Sequence, residues 1–323
     1  MEKGMIYIDT RLGCKLLIPV NLANLDGSQR EAVRFALLQK ELAVVHGPPG
    51  TGKTTTIVEI ITQSVRRGDK VLATAPSNVA VDNLLERLVK NKVKVVRLGH
   101  PARVHADLQK YSLDGQINLS EATQLVRDVR ADIDKSFSKI KKSRSKGETF
   151  GLRREIKELK KELHERERNA IKEILKRADV VLSTLTSASR DGPLKHLPRD
   201  HFDVTVIDEC SQSLEIGCWI ALPYANKAIL AGDHLQLPPT IMSEEAARKG
   251  LSFTLMERVI EHWNKDVVRM LKIQYRMNAK IMEWSSKALY DGELTAHSSV
   301  ASHLLKDIPG ITDGENTSTI IVY

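Results

Sequence analysis

Short apolar runs recur along the chain at 42–46, 71–75, 94–98, 180–183, 204–207, 228–231 and 267–273, each followed by a helical pattern or a long polar loop. Runs this rich in Val and Ile, alternating with helices, predict an α/β protein whose parallel sheet is covered by helices on both faces. Ligands of such sheets gather at the carboxyl ends of the strands. Nearly all the chemically unusual residues of this chain lie just past those ends, which groups them into one candidate site.

The helical patterns are of two kinds. Over 54–65, Ile57, Val58, Ile60 and Ile61 mark one apolar side of a helix that would lie on the sheet. Between 105 and 178 no strand pattern occurs. Leu152, Ile156, Leu159, Leu163, Ala170, Ile171 and Ile174 recur there at spacings of three or four with charges between them, which predicts a long amphipathic helix. A weaker pattern over 117–140 predicts a partner helix, with a break near 143–147 closing the hairpin.

Charge changes the reading of that hairpin. The chain carries a formal net charge of +8 and a pI near 9.3. Between Lys135 and Arg177, sixteen Lys and Arg stand against seven Asp and Glu. One reading is a basic arm over nucleic acid, making phosphate contacts without sequence choice. The other is a solvated face, because Glu and Lys alternate at pairing distance.

Three cysteines, Cys14, Cys210 and Cys218, have no metal-ligand spacing, and their low odd number argues for a reducing compartment. No run of eighteen apolar residues occurs and the N-terminus lacks a signal pattern, so a soluble intracellular protein with no membrane partner is expected.

The stretch AVVHGPPGTGKTTTIVEII, from Ala43 to Ile61, puts a glycine-rich loop between strand and helix. Gly47 to Thr54 fits G-x-x-x-x-G-K-[ST], whose backbone N–H groups and following helix N-terminus hold nucleotide phosphates. Lys53 would reach the β- and γ-phosphates, and the Thr54 hydroxyl would sit on magnesium, with Thr55 a further hydroxyl in reach.

The strand over 204–207 leads into Asp208 and Glu209. In a nucleotide hydrolase Asp208 would hold magnesium while Glu209 orients and deprotonates the attacking water. The next strand ends in GDHLQLPPT, where Gln236 suits sensing of a γ-phosphate and Asp233 could tie down the loop. In TAPSNVAVDNL, Ser77 or Asn78 would cap a helix or bind a strand phosphate, and Thr184 and Thr186 carry the same ambiguity. His46, His100 and His234 read as structural or exposed histidines.

Together these stretches resemble the helicase motifs of superfamily 1, in its Upf-like branch. GPPGTGKTTT is similar to motif I, APSNVAVDNL to motif Ia, IDECSQ to motif II, GDHLQLPP to motif III and QYRM to motif IV, with Gln29 in LDGSQREAV matching the glutamine motif. GHPAR, LTAHSSV and DGPLKHLP resemble the immunoglobulin mu-binding group of that branch. The resemblance implies a RecA-like fold and an ATP- and Mg2+-dependent helicase moving 5′ to 3′ on single-stranded RNA or DNA. It also implies ribosome and tRNA-related factors as partners, and a cytoplasmic and nuclear location.

By the same motifs Gln29 would read adenine, and the loop Gly47, Pro48, Pro49, Gly50, Thr51 and Gly52, with Lys53, Thr54 and Thr55, would hold phosphate. Tyr275 would stack near the base and Arg276 would act as an arginine finger. Pro76, Ser77, Asn78 and Thr184 would contact the nucleic-acid strand. Two other functions fit the motifs: a phosphate-loop ATPase switch, and a nucleic-acid-binding fragment without catalysis.

The expected organisation is a lead-in over 1–24, a first RecA-like domain over 25–104 and 179–272, an inserted helical subdomain over 105–178, and the start of a second RecA-like domain over 273–323. Residues 1–24 are too few for the β-barrel that precedes the first lobe in this family. The second lobe is expected to stop short of motifs V and VI. Weak nucleotide binding and slow hydrolysis are expected of such a chain.

Overall fold

The computed structural model describes residues 24–119, 121–142, 146–307 and 310. In chain order its main elements are α1 (Gly27–Leu38), β1 (Leu42–His46), α2 (Lys53–Arg66), β2 (Val71–Ala75), α3 (Asn78–Lys90) and β3 (Val95–Arg97). The helices α4 (Leu113–Leu119), α5 (Glu121–Lys142) and α6 (Lys146–Arg177) follow, then β4 (Val180–Thr184), β5 (Val204–Ile207), α7 (Glu215–Ala221) and β6 (Lys227–Gly232). The chain continues through α8 (Glu244–Ala246), α9 (Leu255–Trp263), β7 (Val268–Met270), β8 (Ile273–Gln274), α10 (Ala279–Leu289) and β9 (Thr295–Ala296).

Seven strands form one parallel sheet in the order β3-β4-β2-β5-β6-β1-β7. Successive side chains point to opposite faces, and both sets are apolar. Ala43, Val45, Val71, Ala73, Val180, Leu182, Val204 and Val206 pack with α1, α2 and α3 on one face. Their neighbours Val44, Ile207 and Leu230 meet Cys210, Cys218, Met256 and Val259 on the other, while Leu72, Val96 and Val181 meet Leu175, Phe202 and Tyr224. This two-sided burial is why the strands read as unbroken apolar runs, and it makes the lobe an α/β fold with helices on both faces of one parallel sheet. After β1 the chain crosses to β2, passing over the positions that β6 and β5 later fill. The register pairs Ile207 with Leu230 and His46 with Gly232, so the ends of β5, β6 and β1 share one edge.

Two sequence expectations change. The run over 267–273 is not one strand: β7 ends at Met270, Leu271 is buried, and the Lys272 N–H donates to Ser28 Oγ (3.1 Å). That turn takes the chain out of the large sheet, and β8 pairs instead with β9 in a second small sheet. The pattern over 117–140 covers parts of two helices, α4 and α5. The hairpin itself forms, with α5 and α6 packed through Val129, Ile133 and Ile156. Residues 1–23 and 311–323, with Cys14 among them, lie outside the described residues.

Candidate nucleotide-binding site

The glycine-rich loop leaves β1 at His46. The Gly47 N–H donates to the Gly232 carbonyl (2.9 Å), pinning the loop to the end of β6. Gly50 (φ +76°) and Gly52 (φ +75°) occupy the left-handed region, which glycine enters without a Cβ penalty. Each glycine also makes room for one neighbour. A Cβ on Gly47 would lie 2.7 Å from Lys53 Cβ, one on Gly50 2.6 Å from Arg276 Cβ, and one on Gly52 2.5 Å from Gln29 Nε2. Thr51 Oγ1 closes the loop by donating to the Pro48 carbonyl (2.7 Å). Lys53 and Thr54 then open α2, so the unpaired N–H groups of the helix start face the loop.

Asp208 follows β5 and is buried, while Glu209 beside it takes a left-handed backbone (φ +52°), an uncommon conformation for a residue with a side chain. Glu209 Oε1 pairs with Lys53 Nζ at 2.7 Å and its Oε2 accepts from Gln212 Nε2 (3.2 Å). Burial pushes the Asp208 carboxyl up to about 6; Lys53 pulls against that shift, and the Glu209 charge adds to it. A buried carboxylate that prefers a proton gains from a nearby cation. Carboxylate and hydroxyl oxygens, as on Asp208 and Thr54, are the donors that suit a hard divalent ion.

Asp233 follows β6 and does tie down its loop. Its Oδ1 pairs with His46 Nε2 (2.8 Å) and accepts from the Leu235 N–H, while Oδ2 accepts from Gln236 Nε2 (2.6 Å) and Tyr290 Oη (2.7 Å). Burial alone would raise this carboxyl, but the His46 contact and the Gln236 and Tyr290 hydrogen bonds outweigh it and hold it near 2. His46 is therefore structural. His100 is exposed and His234 half-buried.

The motif QYRM closes the site from the far side. The Tyr275 N–H donates to the Gly50 carbonyl (2.9 Å), and buried Gln274 accepts from the Arg276 and Met277 N–H groups through Oε1 (2.8 and 2.9 Å). Tyr275 donates its hydroxyl to Asp26 Oδ2 (3.0 Å) and tilts against His297. Burial, with the Asp26 contact, pushes that phenol up to about 12. Gln29 is buried in a capping box with Asp26, and its Nε2 donates to the Thr51 carbonyl (2.9 Å). The glycine-rich loop, Thr54, Thr55, Glu209, Gln236, Tyr275 and Arg276 line one cleft of about 460 Å³. Of the predicted nucleotide residues all but Gln29 and Asp208 line this cleft; Gln29 is buried against Gly52, and Asp208 is buried next to Glu209 in the chain.

The predicted nucleic-acid residues lie elsewhere on the same edge. Thr184 pairs in register with Ala75, which places it beside Pro76 and Ser77. Ser77 caps α3 by accepting from the Ala80 N–H (3.1 Å). Asn78 Oδ1 accepts from Arg97 Nη2 (2.7 Å), and Thr184 Oγ1 bonds Ser187 Oγ (2.9 Å).

Several residues of the site escape sequence reading. Arg87 on α3 lines the cleft and donates to Thr55 Oγ1 (3.1 Å), as does Gln212 to Glu209. Arg97 has no solvent-exposed surface inside β3, paired with Asp82 (3.1 Å). Burial lowers its pKa, and the Asp82 contact opposes that shift. Tyr290 sits at the end of α10, outside every motif. An amphipathic helix marks Arg87 only as a polar position, Gln212 ends the IDECSQ stretch with nothing to single it out, and nothing local announces Arg97 or Tyr290.

Residues 24–244 match a family described as an AAA domain, and residues 251–322 match a second family with the same description. The chain belongs to this AAA-domain family, in the Upf-like branch of the superfamily 1 helicases. DNA-binding protein SMUBP-2 of Rattus norvegicus is 60% identical over 294 residues, covering 91% of this chain and 30% of that protein. DNA polymerase alpha-associated DNA helicase A of Schizosaccharomyces pombe is 37% identical over 322 residues, covering 99% of this chain and 47% of that protein. The chain thus spans less than half the length of these two curated relatives. A solved arterivirus nonstructural protein 10 helicase with DNA is similar over 83% of this chain and 44% of its own, at 13% identity and a TM-score of 0.43.

Proposed function

We propose that this chain is the ATP-hydrolysing core of a helicase that moves 5′ to 3′ along single-stranded RNA or DNA. The observation that carries the reading is the meeting of Lys53, Glu209, Gln236 and Arg276 on one cleft floored by the glycine-rich loop. On ATP binding Lys53 exchanges Glu209 for the β- and γ-phosphates. Glu209 is then free to take a proton from the water that attacks the γ-phosphorus. Gln236, anchored through its amide nitrogen, aligns that water against a γ-phosphate oxygen. Arg276 faces the transferring phosphoryl group and offsets its growing charge. Thr54 and Asp208 would hold Mg2+, which would neutralise phosphate charge when bound.

Gln29 and Tyr275, flanking the loop, are proposed to meet the base. Pro76, Ser77, Asn78 and Thr184, on neighbouring strand ends, are proposed to meet the nucleic-acid backbone. Rat SMUBP-2 is named for DNA binding and the fission-yeast relative as a DNA helicase, which supports a nucleic-acid partner. RNA, ribosome and tRNA-related partners, and a cytoplasmic and nuclear location, are proposed from the sequence resemblance.

Glu209→Gln is the decisive variant. It is expected to keep ATP affinity within about threefold while turnover falls by roughly a hundredfold or more, as befits loss of a general base. Measured hydrolysis equal to that of the unaltered chain would remove Glu209 from the reaction. Adding single-stranded oligonucleotides to the same assay tests the coupling: turnover that rises strongly with them would overturn the slow hydrolysis expected of this chain.

A further inference from the structure

The Asp233 carboxylate joins three parts of the molecule that are distant in sequence. His46, the last residue before the glycine-rich loop, meets Oδ1, and Gln236, from the loop after β6, meets Oδ2. The third partner is Tyr290, 57 residues further along the chain at the end of α10. Its hydroxyl shares Oδ2 with the Gln236 amide, at 2.7 and 2.6 Å, and is buried. Its ring also lies 5.9 Å from that of His46.

Two donors on one carboxylate oxygen are coupled, because each draws on the same charge and each constrains where the other can point. Removing the tyrosine hydroxyl leaves Gln236 alone on Oδ2. The carboxylate stays anchored at Oδ1 by His46 and the Leu235 N–H, but Oδ2 can then shift about that anchor, and the glutamine amide that it orients moves with it. Tyr290 belongs to the segment after Arg276, whose small sheet and helix pack together through Met282, Tyr290 and Leu294. A shift of that segment therefore reaches Gln236 through two hydrogen bonds. We infer that Tyr290 is a positioning residue that sets the γ-phosphate-sensing geometry of Gln236 through Asp233, making this segment a lever on triphosphate recognition. The inference rests on the nucleotide reading of the cleft.

The test compares Tyr290→Phe, Gln236→Ala and the double variant of the full chain, with affinities for ADP and for a non-hydrolysable ATP analogue measured by calorimetry. Tyr290→Phe keeps the ring and removes only the donor, so folding is checked by thermal melting. It is expected to weaken the ATP analogue by about three- to tenfold, the effect of one lost hydrogen bond, while ADP binding stays unchanged. In the Gln236→Ala background the same change is expected to have no further effect, whereas a merely structural role would lower both affinities additively. Unchanged analogue affinity in Tyr290→Phe, an equal loss for ADP, or an undiminished effect without Gln236 overturns the inference while leaving the nucleotide site standing. An unaltered chain that binds neither nucleotide overturns both.

Discussion

The sheet lobe and the inserted hairpin are built from the same kinds of residue to opposite effect. In the lobe the central strands are buried on both faces, so the strand ends that carry the site, those of β1, β5 and β6, are held from two sides. The hairpin has long helices, of 22 and 32 residues, yet its apolar seam is a small cluster of Val129, Ile133 and Ile156, flanked by Ile140, Leu159 and Leu163. Its anchorage is the last turn of α6, where Leu175 enters the core beside Phe202 and Tyr224. Length is therefore a poor guide to rigidity here. Fixed chemistry belongs to the doubly covered sheet, and the hairpin can loosen without moving a cleft residue.

The largest break in this contrast is expected at Arg97. Its guanidinium has no exposed surface and meets Asp82, Asn78 and the Leu98 carbonyl, bracing the start of α3 against β3. Arg97→Ala leaves Asp82 Oδ2 on the His105 N–H (3.1 Å) but takes away the cation on Oδ1, and an unfolding loss of about 3 kcal/mol, the low end for one partner removed from a buried pair, is expected by urea titration. A loss below about 1 kcal/mol would mean that water reaches Asp82 and that the lobe is less tightly held than its burial indicates.

A smaller effect of opposite sign is expected at the centre of the site. Burial raises the Asp208 carboxyl from 3.8 to about 6 in the folded chain. The folded state then binds more protons than the unfolded state between about pH 4 and 6. The group's stabilising contribution is complete below the unfolded value and is lost as pH rises through 6. Asp208→Asn removes that penalty, so at pH 7 the variant is expected to be more stable by roughly 2–3 kcal/mol while hydrolysis is lost. The gap should open between pH 4 and 6 and hold constant above. A gap independent of pH would place the stabilisation in packing. The lobe would thus carry a strained charge for its chemistry, which the hairpin does not.

For the hairpin, Ile156→Ala is expected to cost about 2 kcal/mol, the low end for a buried aliphatic, because the thin seam can partly collapse. Hydrogen exchange should quicken in α5 and α6 alone, with ATP affinity unchanged within about twofold. Loss of nucleotide affinity would show that the two regions are mechanically joined.

The lobe was largely legible in sequence for the same reason that it is rigid. Strands buried on both faces must be continuous apolar runs, and a phosphate loop must be contiguous because neighbouring backbone N–H groups do the binding. Legibility failed where a contact is long-range or a residue breaks its pattern. Leu271 is buried like a strand residue, but the following N–H donates to Ser28 across the molecule, and the apolar run 267–273 hides that exit. Asp233 was readable as a loop tie, yet its partners His46 and Tyr290 lie 187 and 57 residues away, and no local spacing encodes them. Arg97 in an apolar strand looks like an exposed edge position, and only the fold reveals Asp82 beneath it.

The smallest expected effect decides between the two readings of the hairpin's charge. Arg166 gives Nε and Nη2 to Glu162 Oε1 at 2.9 and 2.6 Å, and Lys160 lies 5.5 Å from the Phe137 ring. Both cations have partners within the hairpin, and both pairings face solvent. Neutralising them as Arg166→Gln and Lys160→Gln is expected to change stability by no more than about 0.5 kcal/mol each. The slope of log affinity against log salt for a single-stranded oligonucleotide should stay within about one of the unaltered chain. A slope lower by about two would mean that these cations release counterions from bound phosphates. The hairpin would then be a nucleic-acid arm with a thin core for its hinge, and its looseness would belong to its function.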